Sequence, residues 1–134
     1  MNMARIGLAI LLSGFAGSLA DWFFAGVLFH DKYAAHPEIW RKGLVTGEGK
    51  SVAWSVLLGF VTCGTFVTAC PAFDVHGLAA AFRFAATIWL MVPLPLLITN
   101  ALFVKMHPLN VGAHIVGWLV KLAFCALAVG FLLP

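Results

Sequence analysis

The chain has 134 residues, of which 63% are apolar and only 10% are charged, and its formal net charge is +3. A soluble domain is about half apolar and about a quarter charged, and a chain this short exposes a large share of its surface. The composition therefore excludes a water-soluble fold, and its dispersed basic residues exclude the massed basic face that a nucleic-acid partner requires.

Four long apolar stretches account for most of the sequence, at residues 6–29, 51–72, 78–104 and 109–133. Each reaches the roughly 20 residues that a helix needs to cross a hydrocarbon core about 30 Å thick. Open sheets leave backbone groups unpaired in lipid, and the alternation of a barrel strand is missing. The sequence predicts a single all-α transmembrane domain over residues 1–134. Short turns at 73–77 and 105–108 favour an antiparallel four-helix bundle.

The first stretch combines small residues with one acidic residue. Ser13, Gly17 and Asp21 recur at helical spacing, and small residues at such spacing allow helices to approach closely. The beginning of this stretch also resembles a signal peptide, in which Ser18-Leu19-Ala20 provides the small residues, Ser18 and Ala20, of a cleavage site. The four-span interpretation retains it as the first helix.

The polar loop at residues 30–50 contains the charged residues that orient the chain. Pro37 is placed to begin a short helix and Gly43 to end it, with Trp40 between them, as in a segment that lies in the headgroup layer. More basic residues lie in this loop and in the turn at 105–108, on one side of the membrane, than on the opposite side. The positive-inside rule then places the loop in the cytoplasm and both termini outside.

The third stretch contains Pro93 and Pro95, which remove backbone donors and predict a kinked helix. Asn100 follows one to two turns later and is a candidate to line a polar site. Broken helices beside polar side chains form the midplane sites of many transporters, although proline kinks also occur without transport.

Ionisable residues inside a span are functional candidates, because each costs several kcal/mol in lipid. Asp21 lies ~12 Å from the loop end of the first stretch and Lys121 ~18 Å from the corresponding end of the fourth. Because helical side chains lean toward their own N-terminus, these two lean toward each other. The sequence therefore predicts a buried Asp21–Lys121 pair. Such a pair either serves transport or only fixes helix register.

The fourth stretch places His114, Trp118, Lys121 and Cys125 on one helical face. A histidine beside an intramembrane aspartate can relay protons near neutral pH. A buried histidine bonded to a backbone carbonyl is the competing interpretation.

Metal and thiol chemistry have weaker support. His30, His36 and His107 are weak candidates for metal ligands, but their spacing matches no firm signature, and no metal or other cofactor is predicted. Cys63, Cys70 and Cys125 have no C-x-x-C spacing and are expected to be buried thiols. A Cys70–Cys125 disulfide is the alternative.

Residues 22–29, Trp-Phe-Phe-Ala-Gly-Val-Leu-Phe, followed by a charged loop with Trp40, resemble an uncharacterised family of small four-helix membrane proteins from bacteria. The resemblance implies a location in the bacterial inner membrane and assigns no functional residue.

Two functional hypotheses remain. The first is a small transporter or channel whose polar site comprises Asp21, His114 and Lys121, lined by Asn100 and Trp118. Four helices enclose little space, so an oligomer is expected. The second is a non-catalytic accessory or assembly subunit of a larger membrane complex. No motif of an enzyme is present.

Overall fold

The computed structural model describes residues 2–28, 31 and 48–133 of the chain. These residues form α1 (Met3–Asp21), a π-helical segment (Trp22–Leu28), α2 (Glu48–Ala72), α3 (Gly77–Met91), α4 (Pro93–Phe103) and α5 (Pro108–Leu132). No strand occurs in this part of the chain. The predicted interfacial helix at residues 37–43, with Trp40, lies outside the described residues.

Four helical stretches are long and apolar enough to cross a membrane, as predicted. They are Met3–Leu28, Gly49–Ala72, Gly77–Phe103 and Pro108–Leu132, with mean hydropathy between 1.6 and 2.2. Many large apolar side chains face outward, among them Leu11, Phe15 and Leu58. In water such a surface would aggregate, whereas lipid solvates it. The chain therefore has the build of a multi-pass membrane protein.

The first span is not a uniform α-helix, which corrects the expectation of one continuous α-helix to residue 29. The α-helical hydrogen bonding ends at Asp21, and a π-helix continues the span to Leu28. A π-helix bonds each N–H to the carbonyl five residues earlier, so side chains after Asp21 shift around the helix axis. In this widened segment the added Cβ of an alanine at Gly26 would lie 3.2 Å from the Trp22 ring.

The third span is interrupted at the predicted place. Val92 has φ −123° and ψ −71°, separating α3 from α4, and Pro93 is the first residue of α4. Proline disfavours the α conformation at the preceding residue and needs no hydrogen-bond donor at the first position of a helix. The interruption predicted from Pro93 is confirmed.

Contacts between α1 and α2 run in opposite order along the two helices. A Cβ placed on Gly59 would lie 3.6 Å from Ser18 Oγ, and one placed on Gly64 would lie 3.8 Å from Ile10 Cγ2. Glycine on one helix thus faces a side chain on the other, which brings the two backbones together.

Contacts between α3 and α5 follow the same opposite order. Leu78 at the start of α3 packs on Gly130 near the end of α5. Farther along, the indole Nε1 of Trp89 donates a hydrogen bond of 2.9 Å to the backbone oxygen of Ile115. This bond satisfies a tryptophan N–H that would otherwise be stranded in an apolar setting.

Packing differs between the two ends of the molecule. The end near both termini contains one apolar cluster from four helices: Ile6, Ala9, Cys63, Phe66, Val67, Cys70, Ala81, Ala85, Leu122, Cys125, Ala126 and Val129. At the opposite end, residues 49–58 of α2 are all exposed, and burial of α2 begins only at Gly59. We call these regions the packed half and the open half.

Substituting Gly130 with alanine should destabilise the protein, because the new Cβ would lie 2.8 Å from the backbone Cα of Leu78. Overpacking of this kind costs about 1–3 kcal/mol. Gly112→Ala is the matched control in the same helix, since its Cβ would have nothing within 4 Å. The control should be neutral or stabilising, because alanine favours helix. Unfolding in detergent, followed by circular dichroism, measures both; equal stability of the two variants would contradict this packing.

Candidate functional site

The ion pair predicted from sequence forms between the first and last spans. Lys121 Nζ lies 2.5 Å from Asp21 Oδ2. The lysine side chain is 7% exposed and the aspartate side chain 41% exposed. The contact is therefore confirmed, but only one partner is fully buried: the carboxylate keeps an open face.

The location of the pair explains why the charges need each other. Lys121 lies ~20 Å from the start of α5 and ~17 Å from its end, too deep for its side chain to reach water at either end. Asp21 is the last residue of α1, immediately before the π-helical segment. An unpaired ammonium at such a depth costs several kcal/mol, and a carboxylate at hydrogen-bond distance offsets much of that cost.

Three glycines, one on each of three helices, surround the pair. A Cβ added to Gly17 of α1 would lie 2.9 Å from Lys121 Cγ, and one added to Gly59 of α2 would lie 3.9 Å from Lys121 Nζ. A Cβ added to Gly117 of α5 would lie 3.8 Å from Asp21 Oδ1. Only at Gly17 does the lysine occupy space that a Cβ would fill, while Gly59 and Gly117 lie at ordinary van der Waals distance from the pair.

Trp118 provides a second favourable contact for the lysine. Its ring centroid lies 4.9 Å from Lys121 Nζ, within the range of a cation–π interaction. His114, one turn before Trp118, is partly buried on the same helix. The structure thus brings Asp21, Lys121 and Trp118 together, with His114 on the adjoining turn of α5.

Asn100 is in a different setting. It lies on α4 with an exposed side chain, and its backbone oxygen accepts the hydrogen bond from Val104 N that ends the helix. The interruption at Val92 and the asparagine are both present, but Asn100 forms no hydrogen bond with Asp21 or Lys121 in the described part of the chain.

Asn110 is a polar residue of the fourth span that the sequence analysis missed. It is 1% exposed, and its side-chain oxygen Oδ1 has no hydrogen-bond partner among the described residues. It lies in the first turn of α5, where an asparagine in a sequence is readily taken for a helix-capping residue. The signal available in the sequence was its spacing of eleven residues from Lys121, three helical turns along one face.

The three cysteines are free and buried, as predicted. The alternative Cys70–Cys125 disulfide is not formed. Cys125 instead neighbours Cys63 and the hydroxyl of Ser13 in the interior. Ser13 Oγ also donates a 2.7 Å hydrogen bond to the backbone oxygen of Ala9, the usual way for a membrane helix to satisfy a hydroxyl.

The weak metal candidates do not come together in the described residues. His107 caps the beginning of α5, where its Nδ1 accepts a 3.2 Å hydrogen bond from Leu109 N. His30 and His36 lie outside the described residues. Within the described ranges, no group of three or more histidine, cysteine or acidic side chains is arranged to hold a metal ion.

Two cavities lie elsewhere on the molecule. One of about 330 Å³ is an apolar groove between α1 and α5, lined by residues such as Ala16, Phe23 and Phe124. The other, of about 270 Å³, lies at the end near the termini and is lined partly by Arg5 and His76. Neither includes Asp21, His114 or Lys121.

Comparison with protein-family models, with curated proteins and with solved structures finds no match for this chain. The resemblance noted for residues 22–29 therefore stays a prediction, and the function is argued from the site itself.

Gly17→Ala should disturb the ion pair, because its Cβ would overlap Lys121 Cγ near the root of the side chain. The lysine must shift or the helices must separate, at a cost of about 1–3 kcal/mol. Gly7→Ala, on the same helix with nothing within 4 Å of its Cβ, is the control and should be neutral or stabilising. Unfolding in detergent measures the stability of both variants. A Gly17→Ala variant as stable as the wild-type protein would show that this space is not required.

The unequal burial of the two charges predicts unequal costs of removing them. Asp21→Asn leaves the buried Lys121 unpaired and should cost about 3–5 kcal/mol, as for other broken buried pairs. Lys121→Met should cost less, because the stranded carboxylate is 41% exposed. The double variant should lose less stability than the sum of the losses measured for the two single variants.

The control for this cycle is Asp74→Asn, since Asp74 is 97% exposed in the turn between α2 and α3. Asparagine also tolerates the positive φ of 57° found there. Its effect should stay within about 0.5 kcal/mol. Strictly additive losses at Asp21 and Lys121 would contradict an energetic coupling between them.

Proposed function

We propose that the chain is a small transporter or channel of the bacterial inner membrane, and that the Asp21–Lys121 pair lies at the site that binds the transported substrate or ion. In this proposal the four spans form an antiparallel bundle and several copies assemble. Both termini lie outside, and the polar loop lies in the cytoplasm. His114 and Trp118 adjoin the site.

The observation that carries the proposal is the unequal exposure of the two charges. Lys121 is enclosed, while the Asp21 side chain is 41% exposed at a depth where hydrocarbon would surround it. A carboxylate in contact with lipid is strongly disfavoured, so its open face requires water or another polar group. Water at this depth is what a transport pathway supplies.

The surroundings of the pair support a functional role over a purely structural one. Apolar residues of similar size generally stabilise a packed core as well as a buried ion pair does. This chain instead keeps both charges, and Gly17 leaves room for the lysine, because a Cβ there would lie 2.9 Å from Lys121 Cγ. The ammonium also comes close to a third helix, since a Cβ on Gly59 would lie 3.9 Å from Lys121 Nζ.

The second candidate, an accessory or assembly subunit, is favoured by the surface of α2. Residues 49–58 are exposed on every side of that helix, and the set includes Trp54 and Leu57. The transport proposal and this alternative differ in what neutralising Asp21 does.

Ion flux into proteoliposomes distinguishes the two candidates. A trapped pH-sensitive dye reports protons, and parallel assays report sodium and potassium. We expect Asp21→Asn to lower the flux of the transported ion at least tenfold, because the site loses the negative charge of Asp21, while the variant still elutes as a folded protein. Asp74→Asn, the same change at an exposed turn, should leave flux unchanged.

The double variant Asp21→Asn with Lys121→Met decides between the two candidates. It has no unpaired charge at this site, so it should be more stable than Asp21→Asn alone, but its flux should stay low. If it folds and retains full flux, the pair has no transport role. If no variant and no wild-type protein moves any of the three ions, while wild-type protein co-purifies with a stoichiometric membrane partner, the accessory interpretation replaces the proposal.

A further inference from the structure

A second polar feature of α5 lies outside the ion pair itself. Asn110, His114, Gly117 and Lys121 follow one another at helical spacing and fall within an arc of about 60° on one face, at 100° per residue. Asn110, Gly117 and Lys121 are buried, and His114 is partly buried. Gly117 adjoins Asp21, since its added Cβ would lie 3.8 Å from Asp21 Oδ1. The stripe therefore extends ~16 Å along the helix, from Asn110 to the pair.

Asn110 indicates what occupies this stripe. Its oxygen Oδ1 is enclosed and accepts no hydrogen bond from any described residue. Buried carbonyl oxygens in proteins nearly always accept at least one bond, and ordered water supplies it where protein groups do not. An enclosed asparagine oxygen inside a membrane span therefore calls for a donor such as water.

The packing of the molecule sets the direction from which water arrives. Beyond Lys121, toward the termini, the interior is apolar and close-packed, with Leu122, Ala126 and Val129 at 2% exposure or less. Toward the other end, residues 49–58 of α2 are exposed, and the first buried residue after them is Gly59, beside Lys121 Nζ. The pair thus lies at the boundary between the packed half and the open half.

We propose that the stripe from Asn110 through His114 to Asp21 is a hydrated route for protons, open only at the end of the molecule where α4 joins α5. This inference rests on the proposed transport function and names its substrate. Water bound at Asn110 Oδ1 begins the route, His114 relays the proton, and the Asp21 carboxylate receives it.

The charges around Asp21 favour protons over larger ions. Among the described residues, Asp21 pairs with Lys121 and interacts electrostatically with His114 on α5 and Cys63 on α2, while Cys125 on α5 interacts with Lys121. Asp21 and Lys121 together are neutral, so the pair offers no net attraction to a metal cation or an anion. A proton needs only one basic atom and a chain of hydrogen bonds.

When the proton moves from His114 to Asp21, an imidazole N–H bond breaks and a carboxyl O–H bond forms. The carboxylate becomes a neutral carboxylic acid, and the site changes from neutral to a net charge of +1 on Lys121. The attraction between the first and last spans weakens at that moment. Release of the proton on the other side then requires rearrangement of the packed half.

Thiol accessibility tests the route without relying on transport. In a background in which Cys63, Cys70 and Cys125 are replaced by alanine, single cysteines are introduced and exposed to a membrane-impermeant methanethiosulfonate reagent from each side. Lys105→Cys and Asp74→Cys identify the two sides of the membrane. Both residues are exposed, and Asp74 precedes the third span while Lys105 follows it. Ala126→Cys, in the packed half, is the buried control.

We expect Asn110→Cys to react at least tenfold faster from the side that labels Lys105→Cys than from the side that labels Asp74→Cys. Ala126→Cys should react from neither side. If Asn110→Cys is unreactive from both sides, or reacts from the Asp74 side, the route is wrong. Because labelling does not depend on flux, this result stands apart from the Asp21→Asn experiment that tests transport itself.

Flux measurements provide a second test in case the cysteine variant does not fold. Asn110→Leu removes the acceptor and should lower proton flux at least tenfold, while Asn110→Ser keeps an oxygen and should restore part of it. Sodium and potassium flux should stay at background in every variant. Equal proton flux in the leucine and serine variants, or sodium or potassium flux above background, would overturn the proposal.

Discussion

A lysine ammonium held near the middle of a membrane span has few stable arrangements, and the structure around Lys121 is organised by that constraint. Its side chain is too deep to reach water, so the charge is stabilised inside the protein by Asp21 and by the face of Trp118. The contact with Asp21 requires close approach of the first and last spans, and glycine at position 17 permits it. The first, second and last spans therefore meet at one level of the molecule because one side chain must be accommodated there.

That level also divides two kinds of interior. On the side of the termini, aliphatic, aromatic and thiol side chains fill the space between four helices, and polar groups such as the Ser13 hydroxyl bond to their own backbone. On the other side, α2 is exposed over residues 49–58 and the interior face of α5 carries Asn110 and His114. A bundle built only for rigidity would be expected to pack along its whole length. An interior that is apolar toward the termini and carries buried polar groups toward the other end is better suited to a site reached from one side.

Composition and elementary helix geometry were sufficient to predict the spans, the interruption before Pro93 and the Asp21–Lys121 contact. Each depends on a local rule: hydrophobic length, the missing N–H of proline, or the lean of helical side chains. The π-helical segment after Asp21 was not predictable in this way, because residues 22–28 are as apolar as an ordinary span and no local signal marks the change of hydrogen bonding. The burial of Asn110 and the exposure of Asn100 depend on how α4 and α5 pack, which no single helix specifies.

The ion pair joins the first span to the last, and this has a consequence for biosynthesis. Asp21 emerges from the ribosome long before Lys121, so the first helix must wait through the synthesis of nearly the whole chain without its counter-charge. An unpaired carboxylate lowers the tendency of that helix to remain in lipid. The first span is therefore expected to stay near the polar environment of the insertion machinery, or to carry a protonated Asp21, until α5 is complete. Final assembly of the protein then depends on the arrival of its last helix.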